Sequence, residues 1–162
     1  MSIVYRSAQL QDLPAIMVIE NAGFTPEEAA TEAAMRQRIL AYPDTFIVAV
    51  EAGTLLGYIV GPAIDQRYLA DDLFEHAVAN SVSAPYQAVL SLAVAPKARH
   101  RRLGSHLLRA LKQVAAAQHR QAITLTCLQR LVPFYEGNGY VNEGVSASSH
   151  AGEVWYNLVL TL

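Results

Sequence analysis

The run Leu90-Ser91-Leu92-Ala93-Val94-Ala95-Pro96-Lys97-Ala98-Arg99-His100-Arg101-Arg102-Leu103-Gly104-Ser105-His106-Leu107-Leu108 constrains the fold more than any other stretch. An apolar segment stops at a proline. A basic turn follows, then Gly-Ser, then apolar residues at Leu103, Leu107, Leu108 and Leu111 in helical spacing. The pattern predicts strand, cationic turn and helix. A helix N-terminus offers unpaired N–H groups and the positive end of the helix dipole, so it suits a phosphate. Lys97, Arg99, Arg101 and Arg102 add charge at the same place. The segment therefore predicts a ligand carrying a pyrophosphate.

A chain of 162 residues is expected to form a single domain over 1–162, long enough to bury a real core. With 52% hydrophobic and 16% charged residues it is not a disordered chain. Its net charge of −2 and pI of about 6.2 argue against nucleic-acid or anionic-membrane binding by charge. The basic run also lacks the interleaved aromatics of a nucleic-acid patch. The single cysteine, Cys127, predicts no internal disulfide and fits a reducing cytosol. No stretch approaches the roughly 20 apolar residues that span a bilayer, and the first residues lack a signal layout. A cytoplasmic location is expected.

The order of elements is read from periodicity. Ile3–Tyr5 is a first strand. A helix opens near Leu13-Pro14 and ends at Gly23. Thr25, Pro26 and Glu28 form a capping box, predicting a second helix from there to about Ala41. Thr45–Val50 and Leu55–Val60 predict an antiparallel hairpin around Glu51–Thr54. Tyr68–Ala79 reads as a short helix or a lid-like insertion. Ala88–Ala95 is too apolar for an edge and predicts one central strand. A helix over about Arg102–Gln118, a strand at Ala122–Cys127, a short helix at Leu131–Asn138 and strands after Gly139 and at Val154–Leu160 complete a mixed α/β layout.

Two motifs carry a family resemblance. The turn Arg99-His100-Arg101-Arg102-Leu103-Gly104 follows the pattern Arg/Gln-x-x-Gly-x-Gly/Ala, with Arg102 at the internal glycine. Phe134-Tyr135-Glu136-Gly137-Asn138-Gly139-Tyr140 follows Phe-Tyr-x-x-x-Gly-Phe/Tyr. With this element order, the chain resembles the GNAT superfamily of N-acetyltransferases, which use acetyl-CoA. Leu125-Thr126-Cys127, Leu131 to Glu136, Ile19-Glu20 with Gly23-Phe24, and Leu92-Ala93-Val94 are similar to its arylalkylamine (serotonin) N-acetyltransferase branch. The resemblance implies an acyl-CoA N-acyltransferase fold of α/β class, a mixed central sheet flanked by helices, with acetyl-CoA as cosubstrate and no metal.

The chemistry needs a neutral amine, a polarised thioester carbonyl and a proton for the departing thiolate. The resemblance assigns carbonyl polarisation to the backbone N–H groups of Leu92 and Val94, around Ala93. It assigns the pyrophosphate to the turn formed by Arg99, His100, Arg101, Arg102, Leu103, Gly104 and Ser105, with Phe134 beside it. Arg102 can still donate its N–H if its dihedrals are ordinary, and its guanidinium can reach a phosphate. Tyr135 is the expected general acid, since a phenol with a pKa of about 10 is protonated at neutral pH; read alone, it is equally a packed aromatic. The branch's paired strand histidines are replaced by Ala88 and Leu90. Glu20 is the substitute base, with Tyr86 and Ser91 placed to order a water chain, or the proton leaves directly to solvent. A solvated helix-end charge is the plain alternative for Glu20. Phe24 and Tyr86 are expected to touch the acceptor.

Other chemistries fit less well. Cys127 reads as a buried, inert thiol. The five histidines show no metal-ligand spacing. Neither a nucleotide P-loop nor a Rossmann fingerprint is present. The expected acceptor is a small primary amine, aromatic amines included. A protein N-terminus or lysine, or a non-catalytic acyl-CoA sensor, are the alternatives. A homodimer is compatible with all of them.

Overall fold

The computed structural model describes residues 2–162. Strands β1 (Ile3–Ser7), β2 (Phe46–Glu51), β3 (Thr54–Val60) and β6 (Ser91–Val94) form one antiparallel sheet in the order β1-β2-β3-β6. Strands β4 (Ala63–Ile64), β5 (Tyr86–Val89), β7 (Ala122–Leu128), β8 (Val141–Val145) and β9 (Trp155–Thr161) form a second, in the order β4-β5-β7-β9-β8. Its β5–β7 pair is parallel, and helix α3 (Leu103–Ala117) lies in that crossover.

Helices α1 (Leu13–Gly23) and α2 (Glu32–Ala41) cover one face. There Ile16, Met35 and Ile39 pack on Phe46, Val48 and Tyr58. Helix α3 and α4 (Val132–Gly137) cover the other face, where Leu107, Leu108 and Leu111 meet Ile47, Ala49 and Ile59. Alternation along β2 thus feeds both layers. Each buried leucine of α3 contributes about 1.5–3 kcal/mol of transfer free energy.

The expected hairpin forms, with Ala52 and Gly53 both at positive φ, 50° and 80°, as a two-residue primed turn requires. Two expectations are corrected. The apolar run Ala88–Ala95 is not one strand. It breaks at Leu90 into β5 and β6, which belong to different sheets. The break is held from both sides. Leu90 N–H bonds the Val60 carbonyl at 2.7 Å, and Ala88 N–H bonds that of Pro62 at 2.8 Å. The buried Gln87 amide donates to the carbonyls of Gly61 and Ala88, each at 2.9 Å.

The second helix starts at Glu32, not at Pro26. Thr25 and Glu28 do pair, with Thr25 N–H on the Glu28 carboxylate at 3.0 Å, but they close a single turn. The chain then leaves helical geometry so that Ala30 N–H meets the Glu20 carboxylate at 2.8 Å. Thr31 supplies the working N-cap, accepting from Ala34 N–H at 3.1 Å. The Tyr68–Ala79 insertion holds one 3-10 turn, Asp71–Phe74. It is tied to β8 and the β8–β9 segment by the Tyr68 hydroxyl donating to Glu143 at 2.7 Å, next to the Arg67–Glu143 ion pair, and by Ser148 donating to Asp71 at 2.6 Å. Among the described residues no helix is long and apolar enough to cross a membrane.

Candidate active site

The two sheets part where β6 leaves β5, and among the described residues β6 pairs with β3 alone. Ala95 N–H bonds the Leu56 carbonyl at 2.7 Å. Residues along an antiparallel pair alternate between bonded and non-bonded positions. With Ala93 opposite Tyr58 and Leu92 opposite Ile59, the bonded positions are Ala93 and Ala95. The N–H groups of Leu92 and Val94 therefore turn away from β3, toward the gap. Ala93 directs its backbone to β3 and its side chain into the core with Tyr58.

A cavity of about 450 Å³ opens from this gap. Leu90, Ser91 and Leu92 form one wall, Leu125 to Leu128 and Tyr135 another, and Glu20, Phe24 and Arg38 a third. Phe74, His150 and Trp155 complete it. Phe74 stacks on His150 at 5.9 Å and 9°, and His150 leans on Trp155 at 5.9 Å.

Glu20 is 2% exposed, which removes the solvated reading. Its Oε1 accepts from the hydroxyls of Tyr58 and of Ser91, the latter at 2.8 Å, and its Oε2 from Ala30 N–H. Burial, and then the Glu20 charge, raise the Tyr58 hydroxyl far above its ordinary pKa. Tyr58 thus stays a donor that anchors the carboxylate.

Tyr135 is 7% exposed and packs edge-on against Phe134 at 5.0 Å and Tyr140 at 5.8 Å. Burial, with Cys127 and Tyr140 adding, raises its pKa above the ordinary phenol value. It is protonated at neutral pH. Burial also pushes the Cys127 thiol up to about 12, in line with an inert thiol.

The basic turn lies at the N-terminus of α3. The first intrahelical bond there is His106 N–H to the Arg102 carbonyl at 3.1 Å. The amides of Leu103, Gly104 and Ser105 consequently have no helical acceptor. The Leu103 side chain is buried in the core; Arg99 and His100 are exposed. Arg101 is drawn onto the hairpin by Glu51 at 2.8 Å. A Cβ on Gly104 would stand 3.1 Å from the Phe134 ring. Phe134, 37% exposed, thus lies close against the turn.

The condition of ordinary dihedrals at Arg102 is not met. Arg102 has φ 59° and ψ 24°, and His100 is also left-handed at φ 66°. The left-handed region costs a non-glycine residue roughly 1–2 kcal/mol, which explains the glycine of the motif at this position. Arg102→Gly should leave CoA affinity unchanged or modestly tighter by calorimetric titration. Release of backbone strain and loss of one cation oppose each other. Weakening beyond about tenfold, 1.4 kcal/mol, would make the guanidinium a phosphate ligand in its own right.

Tyr86 is not brought to the cavity. It lies on β5 opposite Ile64 and Ala122 and packs with the Ile64–Leu69 cluster. Sequence reasoning missed Tyr58, Arg38 and the Phe74–His150–Trp155 wall. Only Arg38 left a signal: it shares the buried helical face of Met35 and Ile39. Among the described residues no group of three or more His, Cys, Asp or Glu is placed to hold a metal ion.

Comparison with known proteins follows the same lines. The profile of the Acetyltransferase (GNAT) family matches residues 13–140. The structure is similar to Ard1 from Thermoplasma volcanium, with TM-score 0.80, 19% identity, and 100% of this chain and 99% of that one covered. It is similar to the loading GNATL domain of CurA from Lyngbya majuscula, with TM-score 0.86, 13% identity and coverage of 99% and 98%. It is also similar to the ribosomal-protein-S18-alanine N-acetyltransferase from Escherichia coli, with TM-score 0.71, 15% identity and coverage of 99% and 94%. The search of curated proteins returned no match.

Proposed function

The chain belongs to the GNAT family of acetyltransferases, and from that premise we propose that it moves an acetyl group from acetyl-CoA to a primary amine by direct attack. The observation that carries this reading is the free edge of β6, with the Leu92 and Val94 N–H groups turned away from β3 and with Leu92 and Tyr135 lining one cavity. Those donors stand ready for a carbonyl oxygen on which charge develops. The free amides of Leu103, Gly104 and Ser105 hold the pyrophosphate, with the positive helix end behind them.

The amine nitrogen attacks the thioester carbon, the C–N bond forms and the C–S bond breaks. Tyr135 gives its proton to the leaving sulfur. The amine proton passes to Ser91 or a water beside it, while Ser91 passes its own to Glu20. Ser91 lines the cavity and already donates to that carboxylate. Tyr58 and Ala30 N–H keep the acceptor oxygens in place.

Acetyl-CoA should raise the melting temperature because it binds only the folded chain. At 100 times Kd the gain is about 2.7 kcal/mol, roughly 5 to 10 °C for a chain of this size. No heat and no shift at millimolar acetyl-CoA would end this reading.

The base has its own test. Glu20→Gln and Ser91→Ala should each lower kcat about 10- to 100-fold. The pH profile of kcat/KM should follow the acceptor amine, with no limb near 6.5, an ordinary histidine value. A limb there that disappears in His150→Gln would transfer the role to His150, the histidine on the cavity wall.

For the acceptor we infer a small primary amine, aromatic amines included. The likeness of Leu125-Thr126-Cys127 and Leu131 to Glu136 to the arylalkylamine branch supports it, as do Phe24, Phe74 and Trp155 around the cavity. A protein N-terminus is the second reading, favoured by the S18-alanine N-acetyltransferase among the similar structures. An acceptor screen reading free CoA release separates small amines from peptides.

A further inference from the structure

Arg38 sits in the cavity wall and the reaction as described does not use it. It is 3% exposed. Its Nη2 donates to the Phe74 carbonyl at 3.1 Å, and Nη1 meets only the Met35 sulfur at 3.8 Å. Among the described residues no carboxylate forms an ion pair with it. Glu20 is near enough to act on it electrostatically, but the bonds Glu20 accepts come from Tyr58, Ser91 and Ala30.

A guanidinium carries five N–H donors in a fixed planar fork. Here one neutral oxygen and one weak sulfur acceptor serve it. A buried cation without an anionic contact is costly, and a cavity lined by that cation offers the place for one. The same cavity is lined by Phe24, Ala34 and Phe74, by the carboxylates of Glu20, Glu28 and Glu75, and by one other guanidinium, Arg130, whose contribution is what survives in Arg38→Met.

We propose that Arg38 reads a carboxylate on the molecule being acylated or on the acyl group itself, by a two-point charged hydrogen bond. This deepens the acetyl-transfer reading and rests on it. With acetyl-CoA as donor, the acceptor class is an amine that also bears a carboxylate, as an amino acid does. The same fork would take the free carboxylate of a dicarboxylic monoacyl-CoA, and the two sources are separable.

Calorimetric titration with and without saturating CoA compares N-acetyl derivatives of glycine, alanine, glutamate, phenylalanine, tryptophan and lysine with their C-terminal amides. A second arm compares succinyl-CoA with butyryl-CoA. The wild type should favour the carboxylate over its uncharged partner by at least about tenfold in one arm, and that arm names the source. Arg38→Met should bring the ratio close to one, and Arg38→Lys, which keeps charge but not the fork, to an intermediate value. Should Arg38→Met not fold, Arg38→Lys decides. No preference in either arm, or one that survives undiminished in folded Arg38→Met, overturns the proposal. Acetyl-CoA binding is measured separately. Its failure would end the acetyl-transfer reading and leave the N-acetyl arm readable.

Discussion

Tyr135→Phe is expected to lower turnover about 10- to 1000-fold, the range of a lost general acid, with acetyl-CoA affinity nearly kept. The substitution removes one oxygen and leaves the ring that packs edge-on against Phe134 and Tyr140. The raised phenol pKa does not argue against the role. A thiol in the same wall, Cys127, is pushed up to about 12 by the same burial. Poor solvation disfavours a thiolate leaving into the same wall as it disfavours the phenolate, so that thiolate is a stronger base than in water and accepts the phenol proton. Single-turnover rates, titration of acetyl-CoA and thermal melts on the same preparation decide the matter. If rate, affinity and the thermal transition fall together, Tyr135 is a packing residue and the acid lies elsewhere.

The largest loss of stability is expected at Gly61→Ala. A Cβ there would stand 1.9 Å from the Ala88 oxygen and 2.6 Å from its carbonyl carbon. Both are backbone atoms, so no rotamer relieves the clash. Nor is β5 free to retreat, since the Ala88 N–H bond to Pro62 and the Gln87 amide bonds hold it. The expected cost is about 3 kcal/mol or more, or roughly 6 to 12 °C in Tm. Activity should fall as well. The displaced segment leads into the Leu90 break, which aims Leu92 and Val94 at the gap. Gly23→Ala is the control: a Cβ there meets nothing within 4 Å, and its Tm should stay within a degree or two. Gly61→Ala melting with the wild type would show that β3 and β5 separate freely and that the break is held by other contacts.

What the sequence determined by itself is local. The strand, basic turn and α3 follow from an apolar run, a proline and a 3.6-residue apolar period. The Ala52-Gly53 hairpin and the α4 motif are equally short-range. Family membership was legible for that reason, because both motifs are contiguous in the chain. The tertiary structure decided everything that depends on which distant group lies opposite. Ala88–Ala95 is apolar throughout, and such a run fits one long strand or two; only the bonds from Leu90 to Val60 and from Ala88 to Pro62 split it. The capping box at Thr25 is sound locally, yet the buried Glu20 takes Ala30 N–H and the helix is capped by Thr31 instead. Arg102 looks like any turn cation until its φ of 59° is seen. Glu20, Tyr58, Ser91 and Arg38 lie far apart in sequence and come together around or directly behind one cavity. Periodicity reports how a residue is buried on average along its own element. It carries no record of the partner that makes burial of a carboxylate or a guanidinium tolerable, because that partner comes from another element and is chosen by packing.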